Sequence, residues 1–273
     1  MGELMASSCA LSDPSFGSVL TCGIASFANL EKKLLVILSS GMQATVCEFR
    51  NRWWVIFFIF FSAFSAYSLD PLNSGVAIVD WLVKYFGRMP TGNDYRLIFG
   101  FGALLLVLAA FLRTWGTSYL QADVMRDSLV HTEQLLADGP YRYVRNPLYL
   151  GNIFMALGIG LMASRVGFLV LSLGMTVFVI RLLLREEADL LRDRGEAYRR
   201  YCTAVPRLVP SLTPRVPPAG NAPHWAEGLR AELMYWLMVV AMTAFAVTLN
   251  IKVFWGVFAV AMAASWFHKR PDG

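Results

Sequence analysis

Apolar positions along the chain fall into six charge-free runs, 53–69, 97–112, 147–164, 166–180, 233–251 and 253–267, each 15 to 19 residues long. A hydrocarbon layer about 30 Å thick is crossed by roughly 20 helical residues, and a flanking Arg that reaches back to the interface lengthens a short run, as Arg181 does for the fourth. The pattern predicts about six membrane helices. Arg165 alone separates the third run from the fourth, and Lys252 alone separates the fifth from the sixth. Links this short demand antiparallel neighbours, so both pairs are expected as tight helical hairpins. The stretch 76–86 is too short and too charged to span, and its apolar spacing suits a helix lying at the outer interface. The first 40 or so residues carry only a short apolar run, 34–38, and lack the basic start, long apolar core and small-residue cleavage site of a signal peptide. All that is interpretable follows Met42, which is expected to be the true start.

Composition sharpens this picture. Of 273 residues 56% are hydrophobic and 16% charged, with a mean hydropathy of +0.51, whereas a soluble domain usually carries about 25% charged residues. The fold class expected is an all-α integral membrane protein forming one bundle; a disordered, collagen-like or ordinary cytosolic chain is excluded. The 24 Lys and Arg against 19 Asp and Glu leave a net charge of +5. They are scattered between apolar runs rather than gathered, which argues for membrane orientation and against a nucleic-acid partner. Cys9, Cys22, Cys47 and Cys202 show no CxxC spacing and no nearby histidine pair, so neither a metal centre nor a disulfide framework is expected. Assigning the segments to alternate sides places 18 basic residues with both termini and the segments 113–146 and 185–232, against five on the other side, Arg181 being left inside its helix. Both termini and both long polar segments are therefore expected in the cytosol, in what is taken to be a bacterial plasma membrane.

Candidate chemistry clusters at that cytosolic face. Before the third run stand Asp138-Gly139-Pro140-Tyr141-Arg142-Tyr143-Val144-Arg145-Asn146-Pro147-Leu148-Tyr149-Leu150-Gly151. Gly-Pro makes a turn, and Asn146-Pro147 reads as an N-cap followed by Pro at the first helical position. Free N–H groups behind Arg145 suit a carboxylate or phosphate, although the same residues also suit a plain capped helix with a positive-inside arginine. The fourth run ends in Arg185-Glu186-Glu187-Ala188-Asp189. At a helix C-terminus such acids oppose the macrodipole and call for a cationic ligand; if the helix runs on, they are mid-helix and solvated. Tyr198 and Tyr201, three apart, share a helix face that either stacks on a planar ring or rests on the headgroup layer. Because the hairpin is tight, the capped start and the glutamate pair lie together and suit a zwitterion.

The stretch Gly139–Gly151, followed by Glu186-Glu187, Gly195, Tyr198, Tyr201 and Val205-Pro206, resembles the isoprenylcysteine carboxyl methyltransferase and phospholipid methyltransferase superfamily. That superfamily carries a G-P-Y-R-x-x-R-H-P-x-Y-x-G box, an E-E pair and a G-x-x-Y-x-x-Y-x-x-x-V-P tail. The matching block covers about 113–210. The resemblance implies S-adenosylmethionine held between the membrane hairpin and the tail, with no Rossmann domain. It makes Arg145, Asn146 and Glu187 the catalytic candidates. Tyr141, Arg145, Asn146, Pro147, Tyr149, Gly151, Glu186, Glu187, Tyr198 and Tyr201 become the cofactor-binding candidates, the three residues Tyr141, Tyr198 and Tyr201 walling the pocket. The family's histidine is Asn146 here, which keeps an amide but cannot carry a proton near neutral pH. The hairpin 233–267 has no counterpart in the resemblance.

The domain organisation expected is an N-terminal segment 1–50, membrane helices with an interfacial helix at 51–112, the methyltransferase core 113–210, a linker 211–232 and an additional hairpin 233–273. The implied activity is methyl transfer from S-adenosylmethionine to a lipophilic or lipidated acceptor reached from the membrane lipids, a carboxylate of the isoprenylcysteine type or a lipid headgroup. A carboxylate is already ionised at pH 7 and needs no base, whereas an amine must first lose a proton, for which only a glutamate of raised pKa is at hand. The competing readings are a membrane reductase of the steroid-reductase type, whose NADPH needs clustered cations, and a non-enzymatic membrane subunit. The charge asymmetry predicts that a membrane-impermeant thiol reagent added outside intact cells leaves Cys202 unlabelled; labelling there reverses the topology.

Overall fold

The computed structural model describes residues 41–120 and 138–268. The chain divides into two units, 1–43 and 44–273, and the second holds every element below. The run 34–38, Lys32, Lys33, Arg126, Lys269 and Arg270 lie outside the described residues.

The six apolar runs all fall on helices. These are α2 (Arg52–Ser65), α4 (Gly92–Thr117), α5 (Pro147–Gly160), α6 (Arg165–Ala204), α8 (Leu233–Thr248) and α9 (Ile251–His268), joined by the shorter α1 (Val46–Arg50), α3 (Ser74–Tyr85) and α7 (Trp225–Ala231). No strand occurs among the described residues. By length and apolarity α4 and α6 suffice to cross a membrane, and α7 with α8, bent by 66° at their junction, makes a third candidate; α2, α5 and α9 are apolar but shorter. The rings of Trp53, Trp54, Phe57, Phe58 and Phe61 stand exposed on α2. An aromatic face of this size left open is what lipid covers.

Helix starts follow their sequence signals. Thr45 and Glu48 close a capping box on α1, as Thr91 and Asp94 do on α4, and Asn73 and Ser164 each accept from the third backbone N–H beyond them. Two links differ from expectation. The α5–α6 turn is 161–164, so Arg165 opens α6 instead of bridging the helices, and its guanidinium holds Asp70 at 3.0 Å. That cation, first through its hydrogen bonds, holds the Asp70 carboxyl below the usual carboxylate range. The α8–α9 turn is Leu249–Asn250, with Leu249 left-handed at φ 53°, and Lys252 lies inside α9.

Side by side, α2 packs on α6, α6 on α5, α5 on α4, α4 on α8 and α8 on α9. The largest core cluster runs through all of them, including Leu106, Met155, Leu171, Met175, Leu183 and Met242. The α4–α5 contact is backbone on backbone. A Cβ on Gly158 would lie 2.7 Å from the carbonyl oxygen of Gly102, and one on Gly151 2.7 Å from Arg113 Cγ and 3.0 Å from the carbonyl oxygen of Ala109. Small residues at such a crossing are how helices approach closely when apolar burial does not favour helix over lipid. This closeness brings α5, which opens with the motif box, onto α4. We expect Gly158→Ala to lower unfolding stability in detergent by about 1–3 kcal/mol through overpacking. Gly100→Ala, on the same α4 with nothing within 4 Å, should be neutral or stabilising because Ala favours helix over Gly.

Candidate functional site

The box 139–151 begins as a turn of 3-10 helix, Gly139–Arg142, with Gly139 at φ 54°, and then enters α5 with Pro147 fully buried at the first helical turn. Asn146 holds the N-cap position, but its side chain does not cap the helix. Its amide instead donates to Glu187 Oε1 at 2.9 Å and to the carbonyl of Arg207 at 3.2 Å. Capping would need the amide oxygen turned to a backbone N–H, whereas the side chain is oriented to aim its NH2 at the Glu187 carboxylate, a stronger charge-assisted bond, and the expected cap is corrected accordingly.

The glutamate pair does not end a helix. α6, 40 residues long in all, runs on past it to Ala204, bent at Gly195 (φ 54°, ψ −127°), a conformation that glycine adopts at no steric cost. The macrodipole reason for a cationic ligand at a helix end therefore falls. The mid-helix alternative is itself only half right, since Glu187 is buried. Neighbouring helical residues point about 100° apart, and the two carboxylates meet different surroundings. Glu187, 9% exposed, is held by Arg145 Nη1 at 3.0 Å, by Arg207 through Nη2 at 2.9 Å and Nε at 3.0 Å, and by Asn146. Glu186 hydrogen-bonds the Tyr149 hydroxyl and has no ion pair among the described residues. It lies past the roughly 20 residues that α6 needs to cross a membrane. Burial raises its carboxyl above the usual range, with Tyr149 and Arg52 pulling the other way.

The tail folds back over the box. Arg145 N–H donates to the Pro206 carbonyl at 2.9 Å, Ser211 N–H to Tyr143 at 3.0 Å and Arg215 N–H to Arg142 at 2.8 Å, while Arg142 Nε donates to Val216 at 2.9 Å. Buried Asp138 accepts the N–H groups of Ala219 and Asn221, each at 2.8 Å. The strap 206–221 is thus laid along 138–145 mainly by main-chain atoms. Tyr198 and Tyr201, with ring centres 5.9 Å apart, are buried with Val205 and Val216 instead of lying on a headgroup layer, and the Tyr201 hydroxyl donates to the Tyr141 carbonyl at 2.7 Å. Burial raises the phenols of Tyr141, Tyr198 and Tyr201 above their usual range, so they remain protonated donors. Cys202, half-buried, accepts from Arg145 Nη1 at 2.9 Å; a cysteine at fully exposed Leu212 is the better reporter of sidedness.

The structure therefore brings Tyr141, Arg145, Asn146, Pro147, Glu187, Tyr198 and Tyr201 into one cluster, with Tyr149 and Glu186 beside it on the α2 side of α6. Gly151 serves the α4 contact. Among the described residues two buried donors find no partner, Tyr141 Oη and Arg145 Nε. Sequence reasoning passed over Arg207 and Arg113 as orientation charges. Arg207 stood next to the Val205-Pro206 element, which was the available signal; Arg113 stood at the end of a charge-free run and gave none.

Residues 97–194 match the family described as phospholipid methyltransferase. Over 113 residues the chain is 38% identical to Protein-S-isoprenylcysteine O-methyltransferase of Schizosaccharomyces pombe, covering 39% of this chain and 47% of that protein. The chain thus spans about half the length of that relative. It is 28% identical over 213 residues to Methanethiol S-methyltransferase 2 of Bradyrhizobium diazoefficiens, covering 73% of this chain and 78% of that protein. No solved structure matches. The family match takes in the box and the glutamate pair, the tail follows directly on it, and both relatives are methyltransferases, which supports the superfamily that these motifs resemble.

Glu187→Gln leaves Arg145 as a buried cation with no full counter-charge, and losing one partner of a buried pair costs about 3–5 kcal/mol. Glu186→Gln removes a charge that burial already disfavours and should change stability by less than about 1 kcal/mol. Denaturation of both variants in detergent checks this; equal losses would mean that the two carboxylates are equivalent.

Proposed function

We propose that the protein is a membrane-embedded methyltransferase using S-adenosylmethionine, with a lipophilic acceptor entering sideways from the lipid. The observation that carries this is the convergence on Glu187 of all three motif segments: the box through Arg145 and Asn146, the pair itself, and the tail through Arg207. The core is 113–210, on six membrane helices with both termini and the site facing the cytosol. When bound, the cofactor supplies an electrophilic methyl on a sulfonium whose leaving group is neutral. The residues present fit it: Arg145 Nε and Tyr141 Oη are donors left over for a carboxylate, and Glu186 is a carboxylate without an ion pair for the cationic groups. Arg145 and Asn146 orient that ligand, and Glu187 fixes both of them. Tyr198, Tyr201 and the strap exclude water, and alignment with water exclusion is the main protein contribution to such a displacement. A reductase reading loses support because the matching family and both relatives are methyltransferases.

For the acceptor, a carboxylate is the first choice because the cluster holds no imidazole or amine base. A thiol is the second, favoured by the likeness to Methanethiol S-methyltransferase 2. The test is transfer of labelled methyl from S-adenosylmethionine to membrane extracts. A methyl ester is released by mild alkali and a thioether is not; no transfer at all defeats the proposal. The raised Glu186 carboxyl also sets a sign. Affinity for a cationic ligand should be full above its folded pKa and fall as pH drops through it, at a pH above the ordinary carboxylate range. Glu186→Gln should bind about ten-fold or more weakly, without that acid limb. Titration calorimetry with S-adenosylmethionine checks this, and an unchanged limb in Glu186→Gln removes the residue from the site.

A further inference from the structure

α7, α8 and α9 lie outside the matched segment 97–194, yet they are tied to it by a buried charge. Arg113, in the last turns of α4, donates through Nε and Nη2 to both oxygens of Glu232, at 2.6 and 3.0 Å. Glu232 stands at the bend between α7 and α8 and is 3% exposed. The same guanidinium donates through Nη1 to Asn152 Oδ1 at 2.9 Å and reaches the Leu148 carbonyl at 3.4 Å, both in the opening turns of α5. Tyr235 covers it, with its ring centre 4.2 Å away, and donates its hydroxyl to the same Asn152 oxygen at 2.5 Å. Gly151 leaves the arginine stem no room to slide, because a Cβ there would already touch it.

We propose that these closing helices are a working part of the binding site, and that Glu232 is a positioning residue that acts through Arg113 on the start of α5. This rests on the methyltransferase reading. The bidentate carboxylate fixes the plane of the guanidinium, as such paired hydrogen bonds do. The fixed guanidinium sets where Leu148 and Asn152 lie. That turn follows directly on Arg145 and Asn146, which bind Glu187. Without Glu232 the buried cation is drawn toward other acceptors or water and releases the turn, so the motif residues lose register although none of them is altered.

The experiment uses the full-length, detergent-purified chain and measures S-adenosylmethionine affinity beside the thermal midpoint. Glu232→Gln should bind about ten-fold more weakly. Arg113→Met combined with Glu232→Leu removes both charges, which in buried pairs is often neutral for stability. It should recover the midpoint while affinity stays about ten-fold down. Asp70→Asn breaks the Asp70–Arg165 pair near the α5–α6 turn and should lower the midpoint alone. Wild-type affinity in the double variant would overturn the inference, reducing the pair to a structural clamp, as would wild-type affinity in Glu232→Gln. Failure of the wild-type chain itself to bind would instead overturn the methyltransferase reading, and this proposal with it.

Discussion

A carboxylate buried in the middle of a helix has to be neutralised where it stands, and Glu187 is such a carboxylate. Its two oxygens take hydrogen bonds from Asn146 and Arg207 and pair ionically with Arg145, two of these partners standing at the mouth of α5 and one beyond the end of α6. Removing it from water is costly unless every lone pair is met, so the three segments are held at the positions that meet it. The strap and the tyrosine cluster are fastened to the same box by bonds of their own, main-chain ones for the strap and the Tyr201 hydroxyl on the Tyr141 carbonyl. Packing of α4 on α5 supplies the complementary constraint, since the box can reach Glu187 only if α5 lies close against its neighbour.

Neutralisation at Glu187 also divides labour between adjacent acids. Glu187 meets Arg145, Asn146 and Arg207, whereas Glu186, one position earlier and turned toward α2, meets the Tyr149 hydroxyl and has no ion pair among the described residues. A pair that reads as one feature in the sequence thus meets two different surroundings.

Much of the fold was legible because long apolar runs admit few structures in a membrane. A helix on each of the apolar runs 53–69, 97–112, 147–164, 166–180, 233–251 and 253–267 follows from that alone, though not its ends, and Asn146-Pro147 marked the start of α5 correctly. Local signals failed where two local options were close in energy. Arg165 was read as a link and is a helix start, because Ser164 caps better than a charged turn residue would. Glu186-Glu187 was read either as a helix end or as a solvated mid-helix pair, and α6 runs on past it with Glu187 buried. Partner choice was beyond reach. Nothing local in the sequence shows that Asn146 gives up capping for a carboxylate 41 residues away, or that Arg113 meets Glu232 119 residues away, since such pairings depend on which helix faces turn together.

The strap 206–221 is attached chiefly through its main chain, by Pro206, Ser211, Arg215 and Val216 to the box and by Ala219 and Asn221 to Asp138. Peptide groups are common to every residue type, so the path of this segment is nearly independent of its side chains. Selection acting on the site can therefore reshape the outer surface of the strap freely while its course is preserved. Divergence between relatives of different appetite is accordingly expected to concentrate there, downstream of Arg207, where the chain can change its vocabulary without changing its shape.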